Sequence, residues 1–254
     1  MHGLIVLVLA CMLMAGPQTA TAREAGALLQ ASAGKVQRPA FKGAGRDEER
    51  ESMVRTQIAR RGVRDPAVLA ALSRVPRHAF VPPAMRARAY DDSPLPIGHG
   101  QTISQPYIVG FMTEMLALRP EHRVLEVGTG SGYQAAILAE IVERVVSMEI
   151  VAPLARATAR RMQEMGFSNL TLRSGDGYFG WPAEGPYDAI IVTAAAGHVP
   201  PPLIAQLKPG GRMAIPVGES AWTQNLLLVE KDADGGVTTR NLMAVRFVPL
   251  TGGH

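Results

Sequence analysis

The 254 residues hold one cysteine, Cys11, and it lies in an apolar N-terminal run. A single thiol excludes a disulfide framework, a thiolate metal site and a cysteine nucleophile in the body of the chain. Long apolar runs are missing too. The longest, over 4–15, is a dozen residues, too short for a stable transmembrane helix. The six histidines are scattered without metal-ligand spacing, so no metal is expected. There is no strong charge of one sign either: Lys and Arg number 26, Asp and Glu 22. The small excess is local. Residues 23–64 carry ten basic and five acidic side chains, whereas 65–254 carry sixteen and seventeen. A phosphate-tracking protein needs Lys and Arg clustered on its folded face, so nucleic acid is not an expected partner. No internal repeat occurs.

What is present suits a folded domain. Hydrophobic residues make up 47% of the chain and charged ones 19%, which permits a large core and argues against general disorder. The length fits one α/β domain of ordinary size with a short extension. Residues 1–22 read as a signal-like leader: the apolar run is broken by Gly16 and Pro17, then Ala20-Thr21-Ala22 resembles a small-residue cleavage site. Only His2 and the α-amine supply positive charge ahead of it, and Val8-Leu9-Ala10-Cys11 is a poor lipobox. The alternative is a start read too early, with Met12, Met14 or Met53 available downstream. Residues 23–45, rich in Ala, Gly, Lys and Arg, form a flexible arm. The domain proper is 46–254, divided into a helical, substrate-loop segment over 46–120 and a sheet over 121–254.

In the first segment, Met53, Val54 and Ile58 at helical spacing predict an amphipathic helix over 46–61. Asp65-Pro66 reads as an N-cap and first helical residue, with a short helix over 67–73. Pro76, Pro82 and Pro83 then punctuate a loop-rich stretch. From Arg123 the pattern alternates. Strands are expected over 124–127, 144–149, 170–173 and 189–193, with helices over 132–140, 151–165 and 202–207. Further strands follow over 212–217, 225–230 and 238–248, the last two joined by a turn over 232–236. The expected fold is α/β: a doubly wound, mostly parallel, seven-stranded Rossmann-like sheet with an antiparallel C-terminal hairpin.

Glu126-Val127-Gly128-Thr129-Gly130-Ser131-Gly132 follows the first of these strands and opens a helix. Glycines serve such a turn because the chain bends sharply and a ligand must approach the backbone. The spacing is GxGxG, not the GxGxxG of dinucleotide folds, and no Lys-Ser/Thr pair makes a P-loop. This disfavours a nicotinamide enzyme. Glu126 can face a positive ligand, such as the ammonium and sulfonium of S-adenosylmethionine. Glu149 ends the next strand about twenty residues on, where a carboxylate accepts from ribose hydroxyls. Asp176 and Gly177 follow the third strand, near an adenine. The loop alone is also compatible with a tight structural turn.

The stretch from Asp91 to Tyr107, containing Thr102-Ile103-Ser104-Gln105-Pro106, is polar and rich in Gly and Pro. Physically it reads as an ordered loop, with Thr102 or Ser104 capping a helix that starts near Pro106. It also resembles the substrate-binding signature of the protein-L-isoaspartate O-methyltransferases. So do 124–133, 187–195 and the terminal Val245-Arg246-Phe247-Val248-Pro249-Leu250, in collinear order over about 46–251. The resemblance implies methyl transfer from S-adenosylmethionine to the free α-carboxylate of L-isoaspartyl residues in damaged proteins, which starts repair through a succinimide. It implies Ser104 as the active-site residue, with Thr102, Ile103, Gln105 and Val248 at the substrate. The cofactor then falls to Glu126, Gly128, Thr129, Gly130, Ser131, Gly132, Glu149, Asp176 and Gly177. A monomer in the cytoplasm is implied, with export through the leader as the alternative. Ala196-Gly197-His198-Val199-Pro200 departs from the family's shorter turn. Two other readings remain: a methyltransferase for another carboxylate or a small molecule, and a methyltransferase-like binding protein without catalysis. His99 is a candidate acid–base group, although a lone loop histidine is more often structural.

Overall fold

The computed structural model describes Phe41 and residues 45–218 and 223–253. The leader and nearly all of the arm lie outside the described residues. Those described fall in one compact unit, Val36–His254. No helix among them is long and apolar enough to cross a membrane.

Helix α1, Asp47–Met53, continues through a π turn, Val54–Ile58, and a 3-10 turn, Ala59–Arg61. Helix α2, Pro66–Arg74, starts as expected: the Asp65 carboxylate accepts from the N–H groups of Ala67 and Val68. The stretch 91–105, expected as loop, contains a small antiparallel hairpin of β1, Leu95–Gly98, and β2, Gln101–Ile103. Its turn holds Gly98, His99 and Gly100 all at positive φ, 93°, 53° and 72°. Helix α3, Pro106–Met115, follows.

The sheet then builds in alternation. Strand β3 is Arg123–Val127, helix α4 Tyr133–Ile141, strand β4 Arg144–Glu149, helix α5 Ala152–Glu164 and strand β5 Leu170–Ser174. Strand β6 is Tyr187–Val192, helix α6 Pro201–Gln206 and strand β7 Leu207–Val217. Strands β8, Gln224–Lys231, and β9, Val237–Val245, close it as a hairpin. Asp232 Oδ1 holds that turn by accepting from the N–H groups of Asp234 and Gly236. The sheet order is β5-β4-β3-β6-β7-β8-β9, parallel through β7 and antiparallel thereafter. The expected seven-stranded α/β architecture is therefore the one observed.

Each central strand is buried on both faces. Val124, Val145, Ala189 and Ile191 pack on one side with α1, α2, α3 and α4, while Leu125, Val127, Val146, Ile190 and Val192 pack on the other. Burial on both faces explains the unbroken apolar runs. It also leaves the C-terminal strand ends as the polar rim where a doubly wound sheet takes its ligand.

Candidate functional site

The glycine loop leaves β3 at that rim. Its backbone is anchored from several sides. The N–H groups of Gly128 and Thr129 donate to Met148 O at 2.8 and 3.1 Å. Thr193 Oγ1 donates to Gly128 O at 2.6 Å, Thr158 Oγ1 to Gly130 O at 2.7 Å, and Arg161 Nη1 to Ser131 O at 2.8 Å. Glycine is required at two positions for different reasons. A Cβ on Gly128, at φ 96°, would stand 2.5 Å from Thr193 Oγ1 beside the cleft. A Cβ on Gly132, at φ 84°, would stand 2.1 Å from Met162 Cε. Gly128, Thr129, Gly130 and Ser131 line a narrow cleft together with Glu149 and Gly177. Gly132 does not line it. Its place is the tight seam between α4 and α5.

The acidic residues separate by role. Glu149 is on the cleft wall. Its Oε2 accepts from Gly130 N and its Oε1 from Val151 N, each at 2.8 Å. Each oxygen retains a lone pair for a hydroxyl donor. Glu126 is not on the wall. Its side chain is fully buried beneath the loop, where Oε2 accepts from Ser147 Oγ and Oε1 has no partner. Ser147 Oγ is in turn bonded to Thr129 Oγ1 at 2.6 Å. Burial pushes the Glu126 carboxyl up to about 8, against the lowering bond from Ser147, and the Glu149 charge adds to the rise. The expectation that Glu126 faces a ligand is therefore corrected: side chains alternate along β3, and Glu126 points to the buried side with Val124. Asp176 precedes Gly177 of the wall, with its carboxylate held by the backbone. Its Oδ1 accepts from Tyr178 N and its Oδ2 from Gly253 N, both at 3.0 Å.

The β1–β2 hairpin covers the loop, since a Cβ on Gly130 would meet Ile97 Cδ1 at 3.4 Å. Beyond it, Thr102, Ile103 and Ser104 border the cleft. Neither hydroxyl caps α3: the N-cap is Gln105, which makes no side-chain cap bond, and Pro106 follows at the first helical position. Gln105 Nε2 donates instead to Asp92 O at 3.1 Å. The C-terminal tail forms the facing wall. Ala195 N donates to Val248 O at 2.8 Å and Leu250 N to Ala195 O at 2.7 Å, so Val248 to Thr251 run along the cleft. A second groove, about 350 Å³, opens from the same spot and is bordered by Arg61, Gln105, Ile108, Arg246 and Phe247. Thr102, Ser104, Thr193 and Val248 line both cavities.

The histidines stand away. His99 is exposed at the hairpin tip, His78 Nδ1 is bonded to Tyr90 OH at 2.7 Å, and His198 Nε2 to Tyr178 OH at 3.0 Å. Among the described residues no three His, Cys, Asp or Glu gather as a metal site. Thr193, Pro249 and Leu250 stand in motifs that the sequence displayed, but no role at the site was expected of them. Arg77, which bonds Ser104, was signalled by nothing at all.

The wall chemistry selects a ligand. Among the described residues, Glu149 is the only charged one lining the cleft. With no cation there, a phosphate has no counter-charge, whereas a cationic nucleoside with a ribose diol meets a carboxylate. S-Adenosylmethionine fits this donor and acceptor set. Fold and site together define a class I S-adenosylmethionine-dependent methyltransferase.

Comparison with known proteins narrows the class. The family model for protein-L-isoaspartate(D-aspartate) O-methyltransferase matches residues 48–254. Protein-L-isoaspartate O-methyltransferase 1 of Nitrosospira multiformis is 58% identical, over 81% of this chain and 88% of its own length. Protein-L-isoaspartate O-methyltransferase 2 of Syntrophobacter fumaroxidans is 60% identical, over 75% of this chain and 77% of its own. A solved protein-L-isoaspartate O-methyltransferase superposes with a TM-score of 0.72 at 29% identity, over 81% of this chain and 66% of that one. A Plasmodium falciparum structure, described as a protein of this kind in complex with S-adenosyl-L-homocysteine, gives 0.69 at 26% identity, over 80% and 98%. The chain belongs to the protein-L-isoaspartate(D-aspartate) O-methyltransferase family.

Proposed function

We propose that this protein methylates the free α-carboxylate of L-isoaspartyl residues in damaged proteins and peptides, with S-adenosylmethionine as methyl donor, and so starts their repair through a succinimide. The observation that carries the reading is the meeting of the two cavities at Ser104 and Val248. The cleft has the chemistry of a cationic nucleoside site. The groove is open enough for a polypeptide. A group held at their junction touches both ligands.

The mechanism asks little acid–base work of the protein. A carboxylate is already ionised at pH 7. Bound S-adenosylmethionine supplies a methyl group on a positively charged sulfur. The methyl group it would supply needs only an ionised carboxylate oxygen as acceptor, with the displaced pair kept by sulfur. No general base, nucleophilic side chain or Lewis acid enters, so we assign none and propose action without a metal. The residues' contribution is position and exclusion of water, worth several kcal/mol when the approach is in line. Ser104 Oγ donates a hydrogen bond that orients the carboxylate. Thr102, Ile103, Gln105 and Val248 frame it. Gly128, Thr129, Gly130, Ser131, Glu149 and Gly177 hold the cofactor, with Glu149 on the ribose. Glu126 acts from beneath the loop, and Asp176 beside Gly177 borders the adenine.

A monomer in the cytoplasm, where S-adenosylmethionine is made, suits this chemistry, and domain limits of 46–254 suit the matched region. Replacement of Ser104 by alanine tests the site. Loss of one orienting hydrogen bond, about 1–2 kcal/mol, should lower kcat/KM for an isoaspartyl peptide roughly ten-fold and leave cofactor affinity intact. Unchanged turnover sinks the assignment of Ser104.

A further inference from the structure

Arg77 is fully buried at the start of the 3-10 turn Arg77–Phe80. Among the described residues its hydrogen-bond partners are neutral carbonyls. Nε donates to Ala89 O at 2.8 Å and Nη2 to Ser104 O at 2.7 Å. Nη1 is buried and has no partner. The guanidinium lies 5.0 Å from the ring centroid of Tyr133, the first residue of α4 and part of the cleft wall. One buried cation thus ties the Ser104 segment to the helix that the glycine loop opens.

A buried charge with no carboxylate in hydrogen-bond contact is costly, and Asp92 acts on this one only through space. Burial pulls the guanidinium down to about 10, which leaves it charged at neutral pH. Two carbonyls could be satisfied by neutral donors. What the charge adds is a positive potential beside Ser104, and the planar fork adds a fixed distance between Ala89 O and Ser104 O.

We propose that Arg77 is a positioning residue for methyl transfer: it fixes Ser104 through the Ser104 carbonyl, and its buried charge draws the substrate carboxylate to that residue. The inference rests on the carboxylate-methylating reading above. Transfer neutralises the carboxylate, so the attraction is stronger in the bound peptide than in the transition state. The loss on removing the charge therefore falls on peptide binding more than on turnover.

The test uses the full chain with Arg77→Met and Arg77→Lys, alone and with Ser104→Ala. Two peptides are compared: an isoaspartyl peptide as substrate, and the same peptide with an isoasparaginyl residue, whose α-carboxamide is neutral, as inhibitor. Arg77→Met should raise KM for the isoaspartyl peptide about ten-fold while kcat changes less than three-fold. The Ki of the isoasparaginyl peptide and the Kd of S-adenosylmethionine should stay within two-fold. Ser104→Ala should cost much less in the Arg77→Met background than alone. Arg77→Lys keeps the charge but reaches only one carbonyl, and should fall between. Equal weakening of both peptides, or losses that simply multiply with Ser104→Ala, overturns the inference. If Arg77→Met does not fold, Arg77→Lys decides: its KM must rise at least three-fold, non-multiplicatively with Ser104→Ala. A wild-type protein inactive on the isoaspartyl peptide overturns the underlying reading instead.

Discussion

Replacing Glu149 by glutamine probes the cleft at its one charged group. In the free protein its two oxygens accept from Gly130 N and Val151 N, each at 2.8 Å. Glutamine keeps one acceptor oxygen and turns an amide donor toward the other N–H. One charge-assisted bond is lost, worth about 1.5–3 kcal/mol, and a donor then faces a donor. The ribose hydroxyls lose an anionic acceptor at the same step. Every 1.4 kcal/mol is about ten-fold in affinity, so the Kd of S-adenosylmethionine should rise about ten- to a hundred-fold. S-Adenosylhomocysteine carries the same ribose and should weaken equally. Without ligand, the disturbed loop should lower Tm by about 3–12 °C, taking about 2–4 °C per kcal/mol for a domain of this size. Titration calorimetry with both ligands and a thermal melt measure all three. A Kd within two-fold of the wild type refutes the placement of the ribose on Glu149.

Gly132→Ala should destabilise without touching the cleft wall directly. A left-handed φ costs about 1–2 kcal/mol and overpacking against Thr158 and Met162 about 1–3 kcal/mol, so Tm should drop by about 4–20 °C in a thermal melt. Glu126 predicts a pH effect. The folded, ligand-free protein holds its proton to about pH 8, whereas the unfolded chain releases it near 4.5. The folded state binds more protons in that window, so this group's contribution falls as pH rises from about 4.5 to 8 and is flat above. Glu126→Gln should therefore match the wild type in denaturant melts at pH 5 and exceed it by about 2 kcal/mol or more at pH 9. A gap that does not change with pH would contradict the buried, protonated carboxyl.

The sequence displayed the sheet because both faces of β3, β4 and β6 are buried, which leaves short apolar runs set off by glycine. The glycine loop was legible for the same local reason. The hairpin of β1 and β2 was not. Its strands are brief and rich in Gly and Pro, and its turn places His99 at a positive φ that no residue pattern announces. The capping expected of Thr102 and Ser104 failed because the chain stays extended through Gln105 and enters the helix on Pro106. Glu126 was expected to face a ligand but lies fully buried on the face of β3 that carries Val124, and because both faces of β3 are buried its two-residue period does not say which one meets the cleft. Arg77 was invisible because its partners are carbonyls brought together only by folding.

The most direct measurement is methyl transfer from labelled S-adenosylmethionine to two peptides that differ only in one linkage, L-isoaspartyl or normal L-aspartyl. The account predicts label in the isoaspartyl peptide alone, base-labile as a methyl ester, followed by succinimide. Equal labelling of the two peptides, or none in either, contradicts it.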